Sequence, residues 1–496
     1  MKNIYKLLAI VLLLTGTMSC GDEWLNTVPS DSVPVDEAIS SYAAAEVALT
    51  GVYDGLQGSS SRTSYYAARM FYYGDVRGDD MQARQGGMRS SAAYEMRYVE
   101  DNALNMWNIP YNVLRRANSL IDAVENGLVE DANDDQLARL KAEALVVRAL
   151  VHFDLVRLYG NPYTMDNGAS LGVPIVTTPL PMDALPARSS VADVYTQVLK
   201  DLSDAIATGG LSDKKTYGYI NLWFAKGLQA RVNLYKGDNP AALTLAEDVI
   251  NNSPYELWTN EEYVDGWTKD PRNGRKEMLF EIVNASNDDW TDREGVAYLL
   301  HEDGYADYIV TESFINMLNE DPADVRNGIL LAPSSDDQII ETYGDAKIFV
   351  NKFPADASGD MRLNDSPIMR LSEVYLIAAE AAAKVPDATK AAKYLNAIVL
   401  RANPDATPVS EADATVERII IEKRKELVGE GHRFFDAMRN NETVIRYTDA
   451  EDRGFHYPLI PESQSFDRTY FRAILPIPVA EIQVNPNIKD QQNPGY

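Results

Sequence analysis

The chain has 496 residues, 45% of them hydrophobic, enough to build one large core or two. It carries 46 Lys and Arg against 74 Asp and Glu, a net charge of −28, and loss of Lys2 and Lys6 with a leader makes this −30. So acidic a surface repels phosphate backbones and anionic lipid, which excludes nucleic acid as a partner.

The first element in chain order is a targeting segment. Lys2 and Lys6 precede an unbroken apolar run, Leu7 to Leu14, and the next charge is Asp22. That run is far short of the roughly 20 residues a membrane-spanning helix needs. A positive start, a short apolar centre and small residues behind it describe a secretory signal over residues 1–19. Cys20 is the only cysteine, so a disulfide within the chain is impossible. A nucleophilic thiol needs a fixed base and a rigid scaffold, neither of which the border of a removed segment offers. The stretch Thr17-Met18-Ser19, with small residues before the cysteine, instead suits cleavage and acylation of Cys20, and two or more acyl chains anchor a protein stably.

Helical periodicity dominates the remainder. Asp135 to Gly160 reads as one long helix, stopped by Gly160 and Pro162. Residues 161–189 hold five prolines and read as an irregular connection. Ser190-x-x-Asp193 is a capping box, and Val191, Val194, Tyr195, Val198, Leu202, Ala205 and Ile206 then recur on one helical face. A faint repeat follows. Ala230, Ala242, Ala246 and Pro254 are spaced by 12, 4 and 8 residues, and Ala379, Ala391 and Leu395 repeat the first two intervals. Small residues at these offsets let paired helices approach closely, as in a degenerate tetratricopeptide unit of about 34 residues. Strict alternation is scarce, so the predicted fold is mainly α: tetratricopeptide-like hairpins, long irregular loops and minor short strands. The loops are residues 80–102, 255–311 and the tail after Pro458, and they hold too many aromatics for disorder.

Several segments resemble the SusD/RagB family of nutrient-binding outer-membrane lipoproteins. They are "DEWLNTVPSDS" behind Cys20, "AEALVVRALVHFDLVRLYGNPY", "IMRLSEVYLIAAEAAAK", "EKRKELVGEGHRFFDAMRN" and the ending "LPIPVAEIQVNPNIKDQQNPGY". The resemblance implies a lipid-anchored protein on the outer face of the outer membrane, with the acidic "GDE" after Cys20 as its export signal. It also implies a SusC-like TonB-dependent transporter as partner, an oligosaccharide as ligand, and no cofactor. A peptide-binding lid, or a lid with little ligand binding of its own, is the alternative. The organisation it suggests is a signal over 1–19, an N-terminal region over 20–235 and a C-terminal region over 236–496, packed as one unit.

The segment from Val416 to Asn440 concentrates titratable groups: Glu422, Arg424, Glu426, Glu430, His432, Arg433 and Asp436. On a continuous helix Val416, Ile420, Leu427, Phe434 and Met438 face inward, with Arg424 and Gly431 along the same stripe. An inward arginine must be paired. The expectation is therefore a structural ion-pair network in which neighbouring glutamates hold Arg424, and Gly431 permits close helix contact. The four histidines, His152, His301, His432 and His456, show no HExxH spacing, so no metal site is expected. There is no G-x-S-x-G, no phosphate-binding glycine loop and no cysteine nucleophile, so nothing supports catalysis.

Tyrosine outnumbers phenylalanine 28 to 12, which suits surfaces needing a flat apolar face with a polar tip. Trp258, Trp267, Trp290, Tyr263, Tyr298, Tyr305 and Tyr308 fall within one irregular stretch. They either form a platform for sugar rings or seal the loops onto the helices. The resemblance points to two ligand segments, "RGDDMQARQGGMRSSAAYEM" and "FEIVNASNDDWTDREGVAYLLHEDGYADY". The ligand-binding candidates are accordingly Gln82, Arg84, Arg89 and Tyr94 in the first, and Trp290, Tyr298 and Tyr305 in the second. The first segment lacks the tryptophans of the starch-binding pattern, which argues against starch. Arg84 and Arg89 suit an anionic glycan or a carboxylate-bearing peptide, or else pair with nearby acids.

Overall fold

The computed structural model describes residues 38–58, 64–102, 106–269, 275–284, 295–353 and 359–496. Cys20, the signal segment and Trp290 lie outside the described residues. The scaffold helices are α1 (Tyr42–Gln57), α2 (Asn108–Glu125), α3 (Asp134–Tyr159), α4 (Val191–Ala207), α5 (Leu222–Lys236) and α6 (Asn239–Asn252), followed by α7 (Leu371–Lys384), α8 (Ala388–Ala402), α9 (Val416–Leu427) and α10 (Arg433–Arg439). Side-chain caps set their starts: Ser41 on α1, Asn133 on α3, Ser190 on α4, Asn221 on α5, Asp238 on α6, Asp387 on α8 and Thr415 on α9. At α4 the Ser190 Oγ accepts the Asp193 N–H at 3.0 Å and donates back to the Asp193 carboxylate at 2.7 Å.

The helices pack as a run of hairpins, α1 on α2, α2 on α3, α3 on α4, α5 on α6, α6 on α7 and α7 on α8. Ala230, Ala242, Ala246, Ala379, Ala391 and Leu395 are all fully buried. The two faint repeat copies are thus the hairpins α5–α6 and α7–α8, meeting where α6 touches α7. One main hydrophobic cluster runs through the fold from Ile39 to Ile488. The strands among the described residues are β1 (Met81–Ala83), β2 (Met278–Ile282), β3 (Tyr308–Val310), β4 (Leu330–Leu331), β5 (Phe349–Val350), β6 (Ser366–Arg370), β7 (Val444–Ile445) and β8 (Ser465–Phe466). They pair antiparallel as β1–β3, β2–β6, β4–β5 and β7–β8.

Two expectations need correction. Residues 255–311 are not irregular throughout: Thr259 and Glu262 form a capping box that starts a helix over Asn260–Thr268, and β2 and β3 lie in the same stretch. The helix of the Val416–Asn440 segment is also interrupted. Gly429 and Gly431 adopt φ +80° and +79°, a left-handed conformation that ends α9 and turns the chain before α10. A Cβ on Gly74, in the helix over Arg69–Asp75, would sit 1.9 Å from the Gly431 carbonyl oxygen, so the close approach is between these two glycines.

Buried charge locks the scaffold. Glu426 receives Arg370 and Arg401 at 2.6 Å each and Arg326 at 3.3 Å. Burial pushes its carboxyl up, but these guanidinium groups outweigh that and hold it well below the usual range. Glu422 pairs with Arg326 at 2.6 Å, Glu430 with Arg370 at 2.8 Å and Lys352 at 2.7 Å, and Asp436 with Lys423 at 2.9 Å and Arg439 at 2.7 Å. Arg433 reaches Asp79 at 2.5 Å and Glu442 at 2.7 Å. Arg424 does not pair with the glutamates of its own segment. It holds Asp80 at 2.6 Å, a residue 344 positions earlier, because its side chain crosses to the stretch leading into β1.

Candidate functional site

β1 and β3 bring the two ligand segments together, with Met81 opposite Val310, Gln82 opposite Ile309 and Ala83 opposite Tyr308. Beyond the ladder the Arg84 N–H donates to the Asp307 carbonyl at 2.9 Å, and Gly86 (φ +92°) turns the chain back. A Cβ on Gly87 would meet the Asp307 carbonyl oxygen at 2.3 Å, so only glycine permits this approach. The buried Asp307 carboxylate then collects the N–H groups of Met88, Arg89 and Ser90 at 2.8, 3.0 and 2.8 Å, and the Ser90 hydroxyl at 2.6 Å. One side chain thereby fixes the position of the first loop on the second.

The consequence is a small surface of cation and rings. The Arg89 guanidinium lies 3.8 Å over the Tyr305 ring, and Tyr305 stands edge-on to Tyr298 with centroids 5.0 Å apart at 81°. The Tyr305 N–H donates to the Tyr298 carbonyl at 2.7 Å, closing the loop that carries both. Arg89, Tyr298 and Tyr305 are half-buried, each keeping a solvent-facing side. Arg362, paired with Asp360, lies within electrostatic reach of Tyr298. Nearby, Glu302 accepts the N–H groups of Ser334, Ser335 and Asp336 and the Ser334 hydroxyl. Against the upward push of burial, these donors hold its carboxyl down at about 2.

Other candidates are placed elsewhere. Gln82 is fully buried and donates to the Phe455 carbonyl at 2.7 Å. Tyr94 is fully buried with its hydroxyl 2.6 Å from His456 Nδ1, and Arg446 covers its ring at 4.5 Å. Neither presents a face to a ligand, because the segment around Phe455 and His456 packs over the first loop from the inside. Arg84 spends its guanidinium on two carbonyls, Ala306 at 2.6 Å and Gln85 at 3.3 Å, rather than on an acid. Trp258, Tyr263, Trp267 and Tyr308 are buried and belong to the core. Trp267 lies between Lys352 at 5.2 Å and Arg370 at 5.3 Å, and forms the floor of the ion-pair network.

His432, 3.9 Å from Glu373, is pushed by burial down to about 4, and its (i, i+4) neighbour Asp436 is held by cations. Among the described residues no group of three or more His, Cys, Asp and Glu is arranged to hold a metal ion. A cleft of about 420 Å³ between Arg157, Tyr195, Tyr235, Phe434 and Arg439 is lined by other residues than this surface. The Arg89–Tyr305–Tyr298 cluster is half-buried.

Comparison with known sequences agrees with this architecture. The sequence profile of the SusD family matches residues 248–496, and a profile described as "Starch-binding associating with outer membrane" matches residues 23–234. The chain belongs to the SusD family. A SusD superfamily protein of Bacteroides thetaiotaomicron is 39% identical, with a TM-score of 0.84 over 92% of this chain and 100% of that one. SusD-like protein P38 of Formosa agariphila is 23% identical over 89% of this chain and 92% of its own length. A surface glycan-binding protein A from Bacteroides thetaiotaomicron, solved in complex with laminarihexaose, shares the fold at 20% identity and a TM-score of 0.71, covering 91% and 99% of the two chains.

Within this SusD-family chain, Asp307 is the positioning residue that sequence reasoning missed. Its neighbours Tyr305 and Tyr308 drew attention as aromatics, but nothing local marks an aspartate that binds a loop 217 residues away.

Proposed function

We propose that this protein captures oligosaccharide on its outer-membrane surface and passes it, without cleaving it, to a SusC-like TonB-dependent transporter. The observation that carries the reading is the rigid Arg89–Tyr305–Tyr298 platform, locked by Asp307. A sugar ring has an apolar C–H face and a rim of hydroxyls. The Tyr298 ring, set at 81° to Tyr305, gives it an apolar contact with a polar tip, and Arg89, stacked on the Tyr305 ring, stands next to it. Because Asp307 already holds the backbone of residues 88–90, little of their ordering entropy opposes binding. Family membership and the glycan complex of the related surface protein support carbohydrate as the ligand class. Acylation at Cys20 would tether the chain and keep the platform over the transporter mouth. With Arg89 at the platform and Arg84 committed to carbonyls, neutral and anionic glycans both fit its chemistry.

The test is affinity electrophoresis against a panel of neutral and uronic-acid-containing polysaccharides. Wild type should be retarded by at least one glycan, and Tyr305→Ala should restore free migration. Unretarded wild-type protein in every gel would refute glycan capture. For the anchor, Cys20→Ala expressed in the native cell should lose palmitate labelling and leave the membrane fraction; an unlabelled wild-type protein sinks that part.

A further inference from the structure

A second aromatic surface lies in the connection between α4 and α5. Tyr217 and Tyr219 flank Gly218 and are 38% and 58% exposed. A single exposed aromatic needs no explanation. Here the turn beneath two of them is heavily pinned. Gly218 has φ +75°, and a Cβ there would lie 2.8 Å from Val283, so the turn rests directly on the residue after β2. The Thr216 hydroxyl donates to the Tyr219 carbonyl at 2.6 Å and receives Asn221 Nδ2 at 2.8 Å. Asn221 also reaches the Tyr255 hydroxyl at 3.0 Å and the Leu279 carbonyl at 2.7 Å while its oxygen caps α5. The Ile220 N–H donates to the Tyr53 hydroxyl at 3.0 Å, and the Tyr53 ring meets Tyr219 edge-on at 5.9 Å and 87°.

The turn is also joined to the platform. The Tyr217 hydroxyl donates to the buried Asp365 carboxylate at 2.8 Å, whose other oxygen accepts the Asn284 N–H at 3.0 Å. The adjacent Asn364 side chain accepts the Ala297 N–H at 3.3 Å, and Ala297 precedes Tyr298. Two side chains of one short stretch therefore hold both aromatic surfaces in fixed relation. Rings held rigid and left exposed in this way have their ordering cost met in the free protein, which is what a contact surface for another flat, half-apolar molecule requires.

We propose that Tyr217 and Tyr219 form an outer subsite that takes the C–H face of a further sugar residue of the same oligosaccharide. The inference rests on the glycan reading above and adds to it the expectation that ligand length is sensed. The experiment is titration calorimetry with hexasaccharides and trisaccharides of β-1,3-glucan, β-1,4-glucan, β-1,4-xylan and polygalacturonate, using wild type, Tyr219→Ala, Tyr217→Phe and Tyr305→Ala. For the hexasaccharide that binds wild type, Tyr219→Ala should raise Kd by about fivefold or more, as loss of a stacked anchor does. The matching trisaccharide should change by less than about twofold, while Tyr305→Ala weakens both. Tyr217→Phe, which frees the ring from Asp365, should fall between. An unchanged hexasaccharide Kd in Tyr219→Ala, with Tyr305→Ala still defective, overturns the subsite and leaves the platform standing. Wild type that binds none of the probes overturns both. Thermal melts of Tyr219→Ala should match wild type, since an exposed ring contributes little to folding.

Discussion

His152 is buried with both ring nitrogens committed: Nδ1 lies 3.0 Å from the Arg148 carbonyl, and Nε2 accepts the Val176 N–H at 3.2 Å. Burial pushes its pKa from 6.5 down to about 3, since a proton on Nε2 would face another donor. The fold therefore favours the neutral ring. That contribution is complete above about pH 6.5 and is lost as pH falls from there toward about 3. His432 and His456 act in the same sense, pushed by burial to about 4 and about 3. Denaturant unfolding between pH 7 and 4 should show falling stability, with a shallower slope in His152→Gln; an unchanged slope would contradict the burial argument. Glu426 is the other decisive residue. Glu426→Gln leaves Arg370, Arg401 and Arg326 short of a buried countercharge, and should cost about 3–5 kcal/mol in chemical denaturation.

Helix ends and helix contacts are decided by small residues whose roles differ with context. Gly51 lies inside α1, and a Cβ there would have nothing within 4 Å, so Gly51→Ala should stabilise by about 0.5–1 kcal/mol through helix propensity. Gly74→Ala drives a methyl into the Gly431 carbonyl and should lower the melting temperature sharply. A paired melting experiment checks both signs at once. The Gly160 and Pro162 stop made α3 legible in the sequence, and the capping box and apolar stripe did so for α4, because each is fixed by contacts within a few residues. The break between α9 and α10 was not legible: the apolar stripe continues through it, and only the positive φ of Gly429 and Gly431 shows that the chain turns.

Contacts between distant parts of the chain unite the whole molecule. Arg424 and Arg433 in the C-terminal part hold Asp80 and Asp79, and Arg446 donates to the carbonyls of Val76, Gly78 and Tyr94. Arg188 is held by neutral acceptors instead. Its guanidinium is shared among the carbonyls of Gly172, Tyr159, Leu171 and Gln491 and the Asn493 side chain, and burial lowers its pKa to about 10. Deleting residues 486–496 removes two of those acceptors, so limited proteolysis should then cut within residues 161–189 at a rate the intact chain resists. By the same reasoning a fragment ending at Tyr235 should lack a cooperative thermal transition, since Asp79 and Asp80 lose their arginines.

The sequence by itself determined the helical scaffold and its hairpin repeat, because periodicity and caps act over one or two turns of chain; the family was carried by the resemblance of whole segments such as "EKRKELVGEGHRFFDAMRN". It also marked the two loops that meet at the platform. Only the tertiary structure decided which of their residues face outward. Gln82 and Tyr94 went inside, Arg84 went to carbonyls, and Tyr298, Tyr305 and Arg89 were left together, since β1–β3 pairing and the Asp307 clamp join segments more than 200 positions apart. Local patterning carries no information on such long-range pairing, so a tyrosine destined for the core and one destined for the surface look alike until the chain has folded.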